Sequence, residues 1–204
     1  MSRTIKVLLA EDQSMVREAL AALLGLEPDI DVVAQVARGD EVLAAAREHD
    51  VDVALLDIEM PGSTGIEAAA EVHRALPGVK LVVLTTFGRP GYLRSAMEAG
   101  ADAFLVKDAP AAQLAAAVRK VLAGERVIDP TLAAAALAEG ANPLTDRERQ
   151  VLRAASDGST NAELALALHL SQGTVRNYLS TSIQKLTARN RAEAVRIARE
   201  KGWL

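Results

Sequence analysis

Through the first 123 residues, short apolar runs alternate with stretches in which apolar positions recur every three to four residues. The runs at 5–10, 31–37, 53–56, 80–85 and 103–106 read as strands, and their near-continuous hydrophobicity is what a sheet covered by helices on both faces requires. Between them, 14–24, 40–48, 65–76, 90–99 and 111–123 carry helical spacing. Five strand–helix units in succession predict an α/β fold, a doubly wound five-stranded parallel sheet. Because its helices are rich in alanine, the branched strand residues must supply most of the core volume.

The pattern changes after residue 123. Gly124 closes the last of these helices, Asp129-Pro130 opens an Ala-rich segment, and Glu139-Gly140-Ala141-Asn142-Pro143 follows. Gly and Pro in this placement mark a linker over 124–141 with a short helix of its own, although the Ala-rich segment also reads as a further helix of the first domain. Beyond it there is no strand signal. Thr145-x-x-Glu148, Thr160-x-x-Glu163 and Asn190-x-x-Glu193 match the capping box, in which the first side chain satisfies an amide at the helix start and the glutamate reaches back. Each precedes helical apolar spacing, so a small all-α domain is expected over 142–204.

Within that domain, a helix from Ser171 to about Leu186 follows the preceding one after only His169-Leu170-Ser171, the connection of a helix-turn-helix. Val175, Leu179, Ile183 and Leu186 share one face at 3.6 residues per turn. Asn177, Ser180, Thr181 and Gln184 point the other way with Arg176 on the flank, as a reader of the DNA major groove requires.

Charge sharpens this division. The chain carries a formal net charge of −4, which splits into −8 up to Gly140 and +4 from Ala141, so only the tail is suited to nucleic acid. There is no cysteine, which excludes disulfides, thiolate metal sites and cysteine nucleophiles and fits a reducing cytoplasm. His49, His73 and His169 stand far apart and read as surface or core residues rather than ligands. No apolar stretch approaches the ~20 residues that span a bilayer, and no secretory signal is expected.

The chemistry-bearing residues sit at strand ends. Asp57 closes Val53-Ala54-Leu55-Leu56 before Ile58-Glu59-Met60-Pro61-Gly62; Glu11 and Asp12 follow the first strand, Thr85 ends the fourth and Lys107 follows the fifth. In open parallel α/β sheets the carboxyl edge of the strands is where ligands bind. Three acids and one lysine there suggest a divalent cation with a phosphoryl group. Asp12, Asp57 and the carbonyl of Glu59 are expected to ligate Mg²⁺, with Glu11 holding a metal-bound water. Asp57 is then the nucleophile, Lys107 compensates phosphoryl charge, and Thr85 donates a hydrogen bond to a phosphoryl oxygen.

Glu11-Asp12, Asp57-Ile58-Glu59-Met60-Pro61-Gly62, Thr85 and Lys107-Asp108-Ala109-Pro110 together resemble the receiver domain of two-component response regulators, a flavodoxin-like fold. The tail, from Leu144-Thr145-Asp146-Arg147-Glu148-Arg149 through Gly173-Thr174-Val175-Arg176-Asn177-Tyr178, is similar to the LuxR-type helix-turn-helix of the NarL/FixJ subfamily. The resemblance implies a receiver over 1–123 with Asp57 as phospho-acceptor, Glu11 and Asp12 as its acidic pocket, Thr85 and Phe104 as a coupled switch, and Lys107 as the phosphoryl-stabilising lysine. It implies DNA contacts from Thr174, Arg176, Asn177, Ser180 and Lys185. Arg176 and Asn177 suit guanine and adenine edges respectively, whereas Lys185, Arg189 and Arg191 suit phosphates. Gln172 and Gly173 depart from a basic helix start.

The reading is a cytoplasmic transcription regulator and not an enzyme. A sensor histidine kinase phosphorylates Asp57, receivers pair as a homodimer through the first and fifth helices, and the dimer binds promoter DNA and engages RNA polymerase. Leu84-Thr85-Thr86-Phe87-Gly88-Arg89-Pro90-Gly91-Tyr92 and Glu200-Lys201-Gly202-Trp203 resemble regulators of membrane-lipid desaturation. Two rivals stand beside it: a haloacid-dehalogenase-type phosphatase, which also uses a strand-end Asp nucleophile but places Asp where this chain has Glu59, and a DNA-binding protein that works without phosphorylation.

Overall fold

The computed structural model describes residues 4–86, 90–107, 110–139 and 142–204. Phe87-Gly88-Arg89, Asp108-Ala109 and Gly140-Ala141, which belong to the motifs and linker read above, lie outside the described residues. The first part of the chain runs β1 (Ile5–Ala10), α1 (Ser14–Leu24), β2 (Ile30–Val36), α2 (Val42–Glu48), β3 (Val53–Asp57), α3 (Gly65–Ala75), β4 (Lys80–Thr85), α4 (Pro90–Glu98), β5 (Ala103–Val106), α5 (Ala111–Leu122), β6 (Val127–Ile128) and α6 (Pro130–Glu139).

All strand pairs are parallel, in the order β2-β1-β3-β4-β5-β6. The sheet therefore has six strands, where the sequence pattern predicted five. The added strand β6 pairs Val127 with Ala103 and Ile128 with Phe104. At two residues it is too short to show any periodicity, and it falls inside the stretch read as linker. The chain turns from building one side of the sheet to building the other between β1 and β3, which opens a crevice at their carboxyl ends.

Alternate residues of each central strand feed opposite faces. Val7, Leu9, Val53, Leu55, Val82, Leu84 and Leu105 pack with Leu24 of α1 and with Leu114, Val118 and Val121 of α5. Leu8, Ala10, Ala54 and Leu56 pack with Val42 and Ala46 of α2 and with Ala68, Ala69 and Val72 of α3. The small alanines let the helices approach, and the Leu and Val of the strands fill the space, so most of the buried area comes from branched residues.

The chain divides into two compact units; the second begins at Ala134, inside α6, and also takes in Pro90–Tyr92 at the start of α4. The second unit contains α7 (Asp146–Ala154), α8 (Asn161–Ala167), α9 (Gln172–Lys185) and α10 (Arg191–Glu200). Thr145 and Thr160 form complete capping boxes with Glu148 and Glu163. The third expected box forms only by half. Asn190 accepts from the Glu193 amide, but the Glu193 carboxylate turns to the Arg189 amide and guanidinium. A fourth box, Thr64 with Glu67, starts α3 and was legible as Thr64-Gly65-Ile66-Glu67. Val175, Leu179 and Leu186 are buried with Val151, Leu152, Leu164 and Trp203, which fixes the inner face of α9. Among the described residues, no helix is long and apolar enough to cross a membrane.

Candidate functional site

Three strand ends converge at the crevice. Glu11 and Asp12 leave β1, Asp57 is the last residue of β3, and Lys107 follows β5. The register explains their meeting. Parallel pairing aligns Ala10 with Leu56 and Thr85 with Val106, so residues one step further lie side by side. The Lys107 amide donates to the Thr85 carbonyl at 2.8 Å, which ties the end of β5 to the end of β4.

The side chains then form one charged group. Lys107 Nζ lies 2.5 Å from Glu11 Oε2 and 2.9 Å from Asp57 Oδ1. Glu11 is fully buried, and only 7% of the Lys107 and Asp57 side chains is exposed. Burial pushes the Asp57 carboxyl up to about 6, against the pull of Lys107. Burial also works against the Lys107 ammonium, but its hydrogen bonds to Glu11 and Asp57 win and hold its pKa above the ordinary value. Asp12 stands at the exposed mouth, and one oxygen from each of Glu11, Asp12 and Asp57 falls within 4.8 Å of the others.

Three carboxylates against one ammonium leave two negative charges uncompensated, and all the donors are hard oxygens. This donor set fits Mg²⁺, which takes one or two carboxylates and keeps several waters. Asp12 and Asp57 would hold such an ion, with Glu11 already engaged by Lys107. Glu59 is exposed, and its carboxylate is not part of the group.

Thr85 is 4% exposed and Phe104 is fully buried. Phe104 pairs with Val83, and Val106 pairs with Thr85, so by the two-residue period of a strand Phe104 and Thr85 share one face of the sheet. Thr85 and Phe104 thus lie diagonally across β4 and β5 on that face, and Phe104 is fully buried.

Sequence reasoning missed three supporting residues. Arg17 of α1 reaches back to donate to the Glu11 carbonyl at 2.5 Å, and the Gln13 amide donates to Glu11 Oε1 at 3.3 Å. Gly65 opens α3 so close to β3 that a Cβ there would sit 1.9 Å from the Asp57 carbonyl oxygen. Only the Gly65 position carried a signal, as a glycine at a helix start behind a Thr cap; the Arg17 contact spans six residues and has no local signature.

In the second unit the turn before α9 is made by His169, which takes a left-handed φ of 52°. Ser171 caps α9 by accepting from the Thr174 amide at 3.0 Å, and its hydroxyl also meets that of Thr174. Arg176, Asn177, Ser180, Thr181 and Gln184 are exposed on the face opposite Val175 and Leu179. Most basic groups near them are already engaged. Arg189 pairs with Glu193, Arg191 donates to the Ser159 carbonyl at 2.6 Å, and Lys185 pairs with Glu148. Arg176 has no ion pair, hydrogen bond or ring contact among the described residues, so its guanidinium is available.

Comparison with known proteins agrees with this geometry. Residues 7–119 match the response regulator receiver domain, and residues 142–198 match the bacterial regulatory proteins of the luxR family. The chain is 45% identical to the transcriptional regulatory protein DesR of Bacillus subtilis (strain 168), covering 98% of each. It is 46% identical to the uncharacterized transcriptional regulatory protein YvfU of the same organism, over 98% of this chain and 100% of the relative. The crystal structure of the response regulator ChrA in a heme-sensing two-component system aligns with a TM-score of 0.59 and 32% identity, over 98% of this chain and 99% of that one.

Proposed function

Since the chain belongs to the response regulators of two-component systems that carry a LuxR-type DNA-binding domain, we propose that phosphorylation of Asp57 by a sensor histidine kinase controls its binding to promoter DNA. The observation that carries this reading is the Asp57–Lys107–Glu11 cluster at the sheet edge, with Asp12 at its mouth. An Asp57 oxygen attacks the phosphorus of a phosphohistidine; the new O–P bond forms as the N–P bond breaks, and the histidine nitrogen leaves with the electron pair. With its pKa at about 6, Asp57 is largely ionised at neutral pH and ready as the nucleophile. A divalent cation on Asp12 and Asp57 supplies positive charge to the phosphoryl oxygens when bound. Lys107, from the end of β5 on the same sheet edge, faces the same oxygens.

Once phosphorylated, Asp57 draws the Thr85 hydroxyl towards the new group, and the space this leaves is taken by Phe104 on the same face. The altered receiver pairs through α1 and α5 as a homodimer. Two copies of α9 then read two half-sites about one helical turn or a multiple apart. Arg176 and Asn177 supply base contacts, and Thr174 and Ser180 flank them. Bound in this way in the cytoplasm, the dimer engages RNA polymerase at genes of membrane-lipid desaturation. That target rests on the resemblance of the strings at 84–92 and 200–203, of which Phe87, Gly88 and Arg89 lie outside the described residues.

The test is to incubate the full chain with Mg²⁺ and a small acyl phosphate. The expected result is a mass gain of one phosphoryl group, absent in Asp57→Asn, together with tighter binding to genomic promoter fragments. Sustained hydrolysis of phosphomonoesters would favour the phosphatase instead, and equal DNA binding by Asp57→Asn would favour a regulator that works without phosphorylation.

A further inference from the structure

Lys185, on the last turn of α9, has the position of a phosphate contact but a different partner. Its Nζ lies 2.9 Å from Glu148 Oε1 and 2.7 Å from Oε2. Glu148 is not a mobile surface acid. Its side chain is 6% exposed, it occupies the third position of α7, and its Oε2 also accepts from the Thr145 amide at 2.7 Å. Burial works against the carboxylate, but Lys185 and the Thr145 amide outweigh it, so its pKa lies below the ordinary value. We propose that Glu148 and Lys185 are positioning residues that lock the far end of the recognition helix, and that Lys185 does not bind DNA phosphate.

Two physical arguments support the lock. Swinging Lys185 out to a phosphate would strand the Glu148 carboxylate, and a buried charge that loses its partner is strongly destabilising. The second argument is geometric. α9 is fixed at its start by the turn from α8 and the Ser171 cap, along its inner face by Val175, Leu179 and Leu186 in the core, and at its end by the Lys185–Glu148 pair. Loss of the Lys185 tie would leave only that apolar contact to set the helix angle, and a pivot of roughly 10° about Ser171 would carry Ser180, about 13 Å along the axis, by about 2 Å. That is enough to break a hydrogen bond to a base edge. Phosphate contacts tolerate such movement better, because they carry no sequence information. The lock therefore serves sequence discrimination rather than bare affinity.

This inference rests on the DNA-binding reading, and the experiment separates the two. A duplex selected by the wild-type chain from genomic fragments, and a random duplex of equal length, are titrated across a range of salt concentrations. Lys185→Met should leave the salt slope on random DNA unchanged while lowering the specific-to-random ratio about tenfold. Glu148→Gln keeps an acceptor for the Thr145 amide but frees Lys185, so its random-DNA slope should steepen by about 0.9 per protomer as one more phosphate is neutralised, with the same loss of ratio. Lys185→Arg, which can keep the ion pair, should restore the ratio. The double variant Glu148→Gln/Lys185→Met leaves no buried charge unpaired and should behave like Lys185→Met, which covers the case in which the single variant unfolds. A slope flattened by about 0.9 per protomer in Lys185→Met would place Lys185 on phosphate and overturn the proposal. Parallel losses on both duplexes with unchanged slopes would reduce the pair to a fold contact and overturn it too. No preference by the wild-type chain would remove the DNA-binding reading itself.

Discussion

Asp57 is the residue where stability and function conflict. In an unfolded chain its carboxyl titrates near 3.8, and in the folded protein burial raises it to about 6. A folded pKa above the unfolded one means that the folded state holds its proton longer, so stability falls as pH rises between those two values and the deficit is complete above about pH 6. The shift corresponds to about 3 kcal/mol. Asn has the same shape and no charge, so Asp57→Asn is expected to match the wild type at pH 3.5 and to exceed it by up to about 3 kcal/mol at pH 7.5. Denaturant titrations in chelator at both pH values check this, and a difference of equal size at both would refute it. Adding Mg²⁺ should narrow the gap at pH 7.5, because the cation binds only where Asp57 is charged. Asp57, Asp12 and Lys107 were legible in the sequence because each ends or closely follows a strand of clear pattern. Arg17 was not, since its contact with the Glu11 carbonyl reaches across the turn between β1 and α1 and leaves no mark on the local pattern.

The same contrast holds among elements. α1 was read to its end residues because its apolar spacing is regular and Gly25 follows. β6 was invisible because two residues have no period, and only the exposed edge of β5 gives Val127 and Ile128 a reason to extend. The close of α9 carries a further detail that no pattern reports. Thr187 N–H donates to the Gln184 carbonyl and Ala188 N–H to that of Ile183, the paired bonds of a Schellman ending, which calls for a left-handed residue after the cap. Thr187 meets that demand with φ of 52°, an unfavourable conformation for a β-branched side chain. Thr187→Gly is expected to relieve about 1 kcal/mol of strain and raise the melting temperature of the helical unit by about 4 to 8 °C. Calorimetry of the full chain measures it, and a fall in melting temperature would show that the Thr187 side chain contributes more than its backbone costs.

At the level of the whole molecule, a phosphoryl group on Asp57, as proposed, would act on DNA binding only through a surface that changes the oligomeric state or the placement of the helical unit. The receiver presents a surface suited to the first. α1 and α5 pack on the same face of the sheet, and both follow parallel strands, so they run in the same direction and their carboxyl ends lie together. Leu23, Leu26 and Leu122 occupy that end and are 43%, 79% and 38% exposed, with Met15 at 80% on the first turn of α1. Large apolar side chains exposed on α1, on the turn after it and on α5 are costly to leave in water, and the proposed pairing with a second copy would cover them. If the copies pair here, charge placed on these side chains should oppose association. Leu23→Glu/Leu122→Glu is expected to weaken the phosphorylated dimer by at least tenfold, about 1.4 kcal/mol, while Asp57 accepts phosphoryl at an unchanged rate, because neither residue touches the cluster around Lys107. Sedimentation equilibrium with and without phosphodonor, beside a time course of phosphorylation, reads both quantities. Intact dimers in the double variant would move the interface to another face, and dimer and phosphorylation lost together would mean that the substitutions had damaged the fold. Dimers lost with phosphorylation intact would separate the chemical step from its consequence, as the proposed storage of a signal at one sheet edge and its use through another surface requires.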